Sequence, residues 1–207
     1  MKAASRLGLA ILLIAATAAQ PLVAFDYPLS SKAIREAYFL GKANLDKRQA
    51  FFKKYRHNLP PLRTGPHVAL IEVETPFACL VDAISRAPLN YYAQEAARDY
   101  LGKPGTFRVH VEIYFTPTYP NPADTAVTLG DFWRDFTIHL KQDAEIAPLS
   151  VRGEPIYSED TISGYIGAII EAEYNVNKID PGGLTTVVVD TPDGQQVETT
   201  FSLNNLR

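Results

Sequence analysis

The chain has 207 residues, 46% hydrophobic and 21% charged, with 20 basic against 23 acidic side chains and a net charge of −3. A chain of this size makes one domain, or one with a small appendage, and buries enough surface to fold without covalent staples. A single cysteine, Cys79, excludes an internal disulfide, and the acidic balance lacks the broad basic footprint of a nucleic-acid binder.

Residues 1–24 have the layout of a secretory signal peptide. Lys2 and Arg6 form a basic start, Leu7 to Ala19 is a run of apolar and small residues, and small residues follow. Cleavage is expected after Ala18 or Ala19, with Ala24 as the alternative. The 13-residue run is shorter than the about 20 residues of a spanning helix. The expectation is therefore an exported protein, periplasmic or extracellular, with no stable membrane insertion once the signal is removed. The charge is also polarised. Lys32 to Arg63 carries nine basic and two acidic residues, whereas Thr64 to the end carries nine and twenty.

Ser30 or Ser31 can cap a helix over 32–40 that Gly41 stops, and Asn44 can cap a second from Leu45 to His57. On the second, Leu45, Phe51, Phe52, Tyr55 and Leu59 gather on one side, with Lys47, Lys53, Lys54 and Arg56 around the rest. Residues 25–63 thus form a basic helical hairpin, divided from a β-rich globular part, 64–207, by the Pro-rich stretch 57–66. Removing everything up to Arg63 is expected to leave that part folded. Lys47, Lys53, Lys54 and Arg56 are candidates for peripheral contact with an anionic surface; a merely solvated face is the plainer reading.

Val68 to Val73 is a β-branched run. Thr75-Pro76 then starts a helix over 76–86, threonine as cap and proline at the first helical position. Phe77, Leu80, Val81 and Ile84 make its apolar stripe. Cys79 lies on the opposite side, in the first turns, as either a reactive thiol or a small buried residue. A further helix spans 90–101, with Tyr92, Ala93, Ala96 and Tyr100 as its inner face and Gly102 and Pro104 as its stop.

From Gly105 to Phe115 the pattern changes to unbroken alternation. Phe107, Val109, Val111, Ile113 and Phe115 share a dry face; Arg108, His110, Glu112 and Tyr114 share a wet one. A second alternating segment runs from Phe132 to Lys141. Ile146 to Arg152, Ser163 to Tyr174, Thr185 to Asp190 and Gln196 to Leu203 follow, the last two flanking the turn Thr191-Pro-Asp-Gly194. Strands with one apolar face need a second layer over it. The expected fold is α+β: an antiparallel β-sandwich of about seven strands, with the N-terminal helical hairpin and two further helices between the first and second strands.

If the segments 105–115 and 132–141 were neighbours, His110, Glu112 and His139 would converge as candidate metal ligands. Residues two apart on a strand are about 6.6 Å apart, however, and an open sheet face encloses no ion. No metal and no other cofactor is therefore expected. Glu72/Glu74 and Glu171/Glu173 are carboxylate pairs, but any Glu-x-Glu on a strand meets the about 5–9.5 Å separation of glycoside hydrolysis. The aromatic and proline-rich stretch 114–123 offers Tyr114 and Tyr119 as candidate binding contacts. No Gly-x-Ser-x-Gly, phosphate-binding glycine loop, Cys-x-x-Cys or His-Glu-x-x-His is present. The reading is a non-catalytic binding or interaction module of the cell envelope, its partner a protein, peptide or envelope polymer and not nucleic acid. The alternative is an envelope hydrolase whose carboxylates and histidines the fold assembles.

Overall fold

The computed structural model describes residues 25–103, 105–119, 131–158 and 164–207. The expected signal peptide lies outside them, as does the aromatic stretch beyond Tyr119.

Helices α1 (Ser31–Gly41) and α2 (Leu45–Phe52) lead into β1 (Arg56–Asn58) and β2 (His67–Glu74). Helices α3 (Pro76–Arg86) and α4 (Ala93–Leu101) follow, then β3 (Thr106–Tyr114), β4 (Thr137–Lys141), β5 (Glu145–Ile146), β6 (Ser150–Tyr157), β7 (Tyr165–Asn175), β8 (Leu184–Asp190) and β9 (Gln196–Ser202). The described strands form a five-stranded sheet, β1-β2-β3-β7-β6, and a four-stranded sheet, β5-β4-β8-β9, and every pairing is antiparallel. The protein is an α+β sandwich. Val109 and Val111 of β3, Ile170 of β7, Leu140 of β4 and Val187 and Val189 of β8 are fully buried in one core, as alternation on facing sheets requires.

The helices cover an end of this core rather than forming a separate body. Ala37 and Tyr55 are completely buried, and Ala33, Ile34 and Phe52 join the same cluster as the strands. A Cβ on Gly41 would collide with Ile84, so the glycine that stops α1 also lets it lie against α3. Caps fall where short polar side chains predict them: Ser30 accepts from Ala33 N–H, Asn44 from Lys47 N–H and Thr75 from Ala78 N–H.

Several expected boundaries shift. The second helix ends at Phe52, and a 3-10 turn over Lys53–Tyr55 leads directly into β1, where cross-strand pairing with β2 replaces helical bonds. Leu45 is exposed instead of joining Phe51 and Phe52. The segment 132–141 is a strand only from Thr137, because Phe132–Asp135 form a 3-10 turn. Phe132 and Phe136 are both buried, edge to face at 5.7 Å; a spacing of four puts two rings on one side of a turn as readily as of a strand. The expected strand 146–152 is divided between β5 and β6, in different sheets, so the chain crosses the sandwich between them. The helix at 90–101 begins at Ala93, with Tyr92 exposed and its N–H donating to Glu95 Oε2 at 2.7 Å. Nine described strands replace the expected seven, β1 and β5 being too short to show in any pattern.

Candidate functional site

The outer face of the five-stranded sheet is built by three short charge patterns. β2 carries Glu72 and Glu74, β3 carries Arg108, His110 and Glu112, and β7 carries Glu171 and Glu173. The register sets them in rows across the strands. One row reads Arg56, Glu72, His110, Glu171, Arg152; the next reads Glu74, Arg108, Glu173. Positive and negative groups alternate along both.

The contacts follow. Arg56 Nε is 2.7 Å from Glu72 Oε2, and Arg152 Nε is 2.7 Å from Glu171 Oε2. Arg108 Nη1 lies 3.1 Å from Glu74, 3.3 Å from Asp82 of α3 and 3.8 Å from Glu171. His110 sits between Glu112 at 3.5 Å and Glu171 at 3.7 Å. Burial works against a charged His110, yet hydrogen bonding to Glu112 and Glu171 and the nearby Glu72 prevail and lift it to about 9. The same His110 contact, opposed by burial and helped by Arg152 and Arg108, holds Glu171 down at about 2. Burial, only partly offset by Arg56 and Arg108 respectively, raises Glu72 and Glu74.

This predicts an alkaline weakness. A folded-state value of about 9 against an ordinary 6.5 means that the His110 contribution is fully present below pH 6.5 and lost as pH rises through 9. The contribution is worth up to about 3 kcal/mol. Glu171, lowered from 4.5 to about 2, acts in the opposite sense, its contribution present above pH 4.5 and lost as pH falls through 2. Denaturant midpoints measured between pH 6 and 9.5 should fall, and the fall should flatten in His110→Gln. An unchanged slope in that variant would assign the effect to other groups.

The segments 105–115 and 132–141 are not neighbours, so His110 and Glu112 do not converge with His139. His139 is on β4, in the other sheet, with Nδ1 2.7 Å from Glu145 and Nε2 3.0 Å from Asp190; these carboxylates, Glu145 first, raise its pKa. Among the described residues no group of three His, Cys, Asp or Glu could hold a metal ion. His110, Glu112 and His139 are therefore no ligand set.

The basic candidates Lys47, Lys53, Lys54 and Arg56 are all exposed. Lys54 and Arg56 also make contacts back to the protein. Lys54 Nζ donates to Asn205 C=O at 2.9 Å, and Arg56, besides holding Glu72, lies 5.3 Å from the Phe52 ring centroid. Tyr114 donates to Glu112 at 3.3 Å, and the Tyr119 ring stacks on Phe115 at 6.4 Å. Cys79 faces Glu74: its thiol donates toward Glu74 Oε2 at 3.7 Å, and burial together with that carboxylate pushes its pKa well up. That is the reverse of what a reactive thiolate needs.

The sequence pattern did not reveal a cleft of about 360 Å³ where α3, α4 and the starts of β3 and β7's partnered end meet. Leu80, Ala83 and Ile84 give it an apolar wall; Asp99, Lys103, Arg108 and Glu173 give it charged ends. The available signal was Cys79 and Ala83, small residues four apart on α3 beside Leu80 and Ile84 of its apolar stripe, which leave room along the helix.

No protein-family model and no curated protein sequence matches this chain. Among solved structures, IgNAR antibody domain C1 overlaps 70% of this chain and 97% of its own length at 9% identity and a TM-score of 0.33. IgNAR antibody domain C3 does so over 70% and 98% at 11% identity and the same score of 0.33. Overlaps this loose carry no argument about function.

Proposed function

We propose that the chain is an exported, non-catalytic binding module and that it seats its ligand in the cleft beside α3. The cleft is the observation that carries this reading. Its volume of about 360 Å³ falls in the range of ligand sites, and such sites join apolar walls to a few polar groups. An apolar side chain fits against Leu80, Ala83 and Ile84, while the charged ends pair with polar groups beside it. A peptide segment supplies both. Export rests on the basic start and the apolar run at Leu7 to Ala19, which also places the partner in the periplasm or outside the cell.

The charged face supports binding over hydrolysis. On this face Glu72 and Glu74 are raised and Glu112 and Glu171 lowered, and of these Glu72 and Glu171 share a row, the opposed pair an acid and base would need. They stand two strands apart, about 9.5 Å at the backbone, and His110 fills the position between them.

Titrating the isotopically labelled protein with a pool of peptides bearing one large apolar side chain is expected to shift the amide resonances of Leu80, Ala83, Asp99 and Lys103. Soluble envelope-polymer fragments form a second arm, and shifts produced by them alone would replace the peptide with a polymer. Ala83→Trp, a change at an exposed position, should weaken binding by about tenfold or more; Lys53→Glu should not. Shifts confined to the Lys47 and Lys53 face would overturn the cleft in favour of the basic helix.

A further inference from the structure

The five-stranded sheet ends in an edge that matches itself. β6 pairs with β7 on one side and, among the described residues, with no strand on the other. Which backbone groups face outward follows from one hydrogen bond. Phe115 N–H donates to Ile166 C=O at 3.0 Å, so the even-numbered residues of β7 direct their backbone groups at β3 and the odd-numbered ones at β6. The partners of those odd residues are Ser150, Arg152, Glu154 and Ile156. The N–H and C=O of Val151 and Gly153, and the C=O of Pro155, therefore point into the open edge. Proline, which has no N–H to give, occupies a position that β7 does not need.

The side chains of the edge are patterned as well. Arg152 and Glu154 share the outer face with no like charge beside them on β6, and Glu154 has no ion pair among the described residues. On the opposite face Val151 and Tyr157 are 41% and 64% exposed. Gly153 sits in the middle, with the Trp133 indole lying where its Cβ would be.

We infer that two copies of this chain associate through β6, antiparallel about a two-fold axis at Gly153, joining their sheets into one. Only this centre sets Arg152 against the partner's Glu154, and symmetry makes the contact twice. It also sets Val151 against the partner's Pro155, apolar to apolar. The outward backbone groups agree: Gly153 exchanges both its bonds with the partner's Gly153, and Val151 N–H donates to the partner's Pro155 C=O. The missing proline N–H removes one bond on each side. A centre at residue 151 or 155 leaves Arg152 facing serine, and a centre at 152 or 154 sets Arg152 against Arg152 or Glu154 against Glu154. Isologous pairing of this kind is self-limiting, because it consumes the edge that a longer aggregate would extend.

Trp133 is the protein's single tryptophan, and each copy's indole lies beside the axis. Sedimentation and tryptophan emission, followed together over a concentration series of the purified protein, should report one monomer–dimer equilibrium. Val151→Pro removes outward donors without touching the β6–β7 ladder, and Glu154→Arg sets arginine against arginine. Each is expected to raise the dissociation constant by about tenfold or more, with unchanged circular dichroism, while Lys53→Glu leaves it alone. A protein that stays monomeric throughout the series, or a dimer that withstands both changes, would overturn the assignment.

Discussion

Replacing Tyr55 with alanine is expected to destabilise the protein by about 3–5 kcal/mol, read as a lower denaturant midpoint at unchanged slope. The ring is fully buried, 4.8 Å from the Phe51 centroid and 5.9 Å from that of Phe52. Its hydroxyl donates to Arg207 C=O at 2.9 Å and accepts from Arg207 N–H at 3.0 Å. Burial foremost lifts this phenol to about 12, so it is neutral and able to donate throughout the useful pH range. Tyr55→Phe keeps the packing and takes the partner from Arg207 N–H, while Arg207 C=O still accepts from Thr75 Oγ1, for about 1–3 kcal/mol. The same packing bears on truncation at Arg63. That cut removes Ala33, Ile34, Ala37, Phe52 and Tyr55 from the shared core and uncovers α3, so an unfolded or insoluble product is now expected where the charge pattern alone suggested a folded one. An unaltered midpoint in Tyr55→Ala would return the hairpin to the periphery.

Arg108→Met should cost about 3–5 kcal/mol at neutral pH, the usual result of removing one partner from a buried charge cluster. The guanidinium faces Glu74, Asp82 and Glu171, and its side chain is 13% exposed against 8% for Glu74. Methionine fills much of the same volume, so the loss should be one of charge and not of packing. Glu74 already has a pKa raised by burial, and without Arg108 it rises further. A group raised in the folded state stabilises most at low pH, where it is protonated, and this contribution disappears as pH rises. The deficit should therefore shrink between pH 7 and pH 5. An equal deficit at both would assign the loss to packing.

The elements that could be read from the residues are those whose signal is local. The alternation at 105–115 gives β3 and both its faces, Thr75-Pro76 gives the start of α3, and Thr191 to Gly194 gives the β8–β9 turn. The segment 132–136 misleads because two phenylalanines four apart satisfy a turn and a strand alike. β1 could not be seen: Arg56 to Asn58 has no pattern of its own and becomes a strand only because Glu72, Ile71 and Leu70 lie opposite. Long-range placement accounts for the site as well. Nothing local says that His139 belongs to the other sheet, or that Arg56 and Arg152, far apart in sequence, close the two ends of one row.

Those rows have a consequence for how the strands find one another. A period-two apolar pattern rejects a slip of one residue, which would turn the dry face to water, but is blind to a slip of two. The charges are not blind to it. Moving either β2 or β7 two residues in one direction along β3 sets a glutamate against Glu112; moving it in the other leaves His110 facing Leu70 or Ile169. β6 obeys the same rule, since a slip there can bring Glu154 against Glu171. The outer face thus acts as a vernier on the inner one: hydrophobic residues choose the side, and the alternating signs of Arg56, Glu72, His110, Glu171 and Arg152 choose the notch.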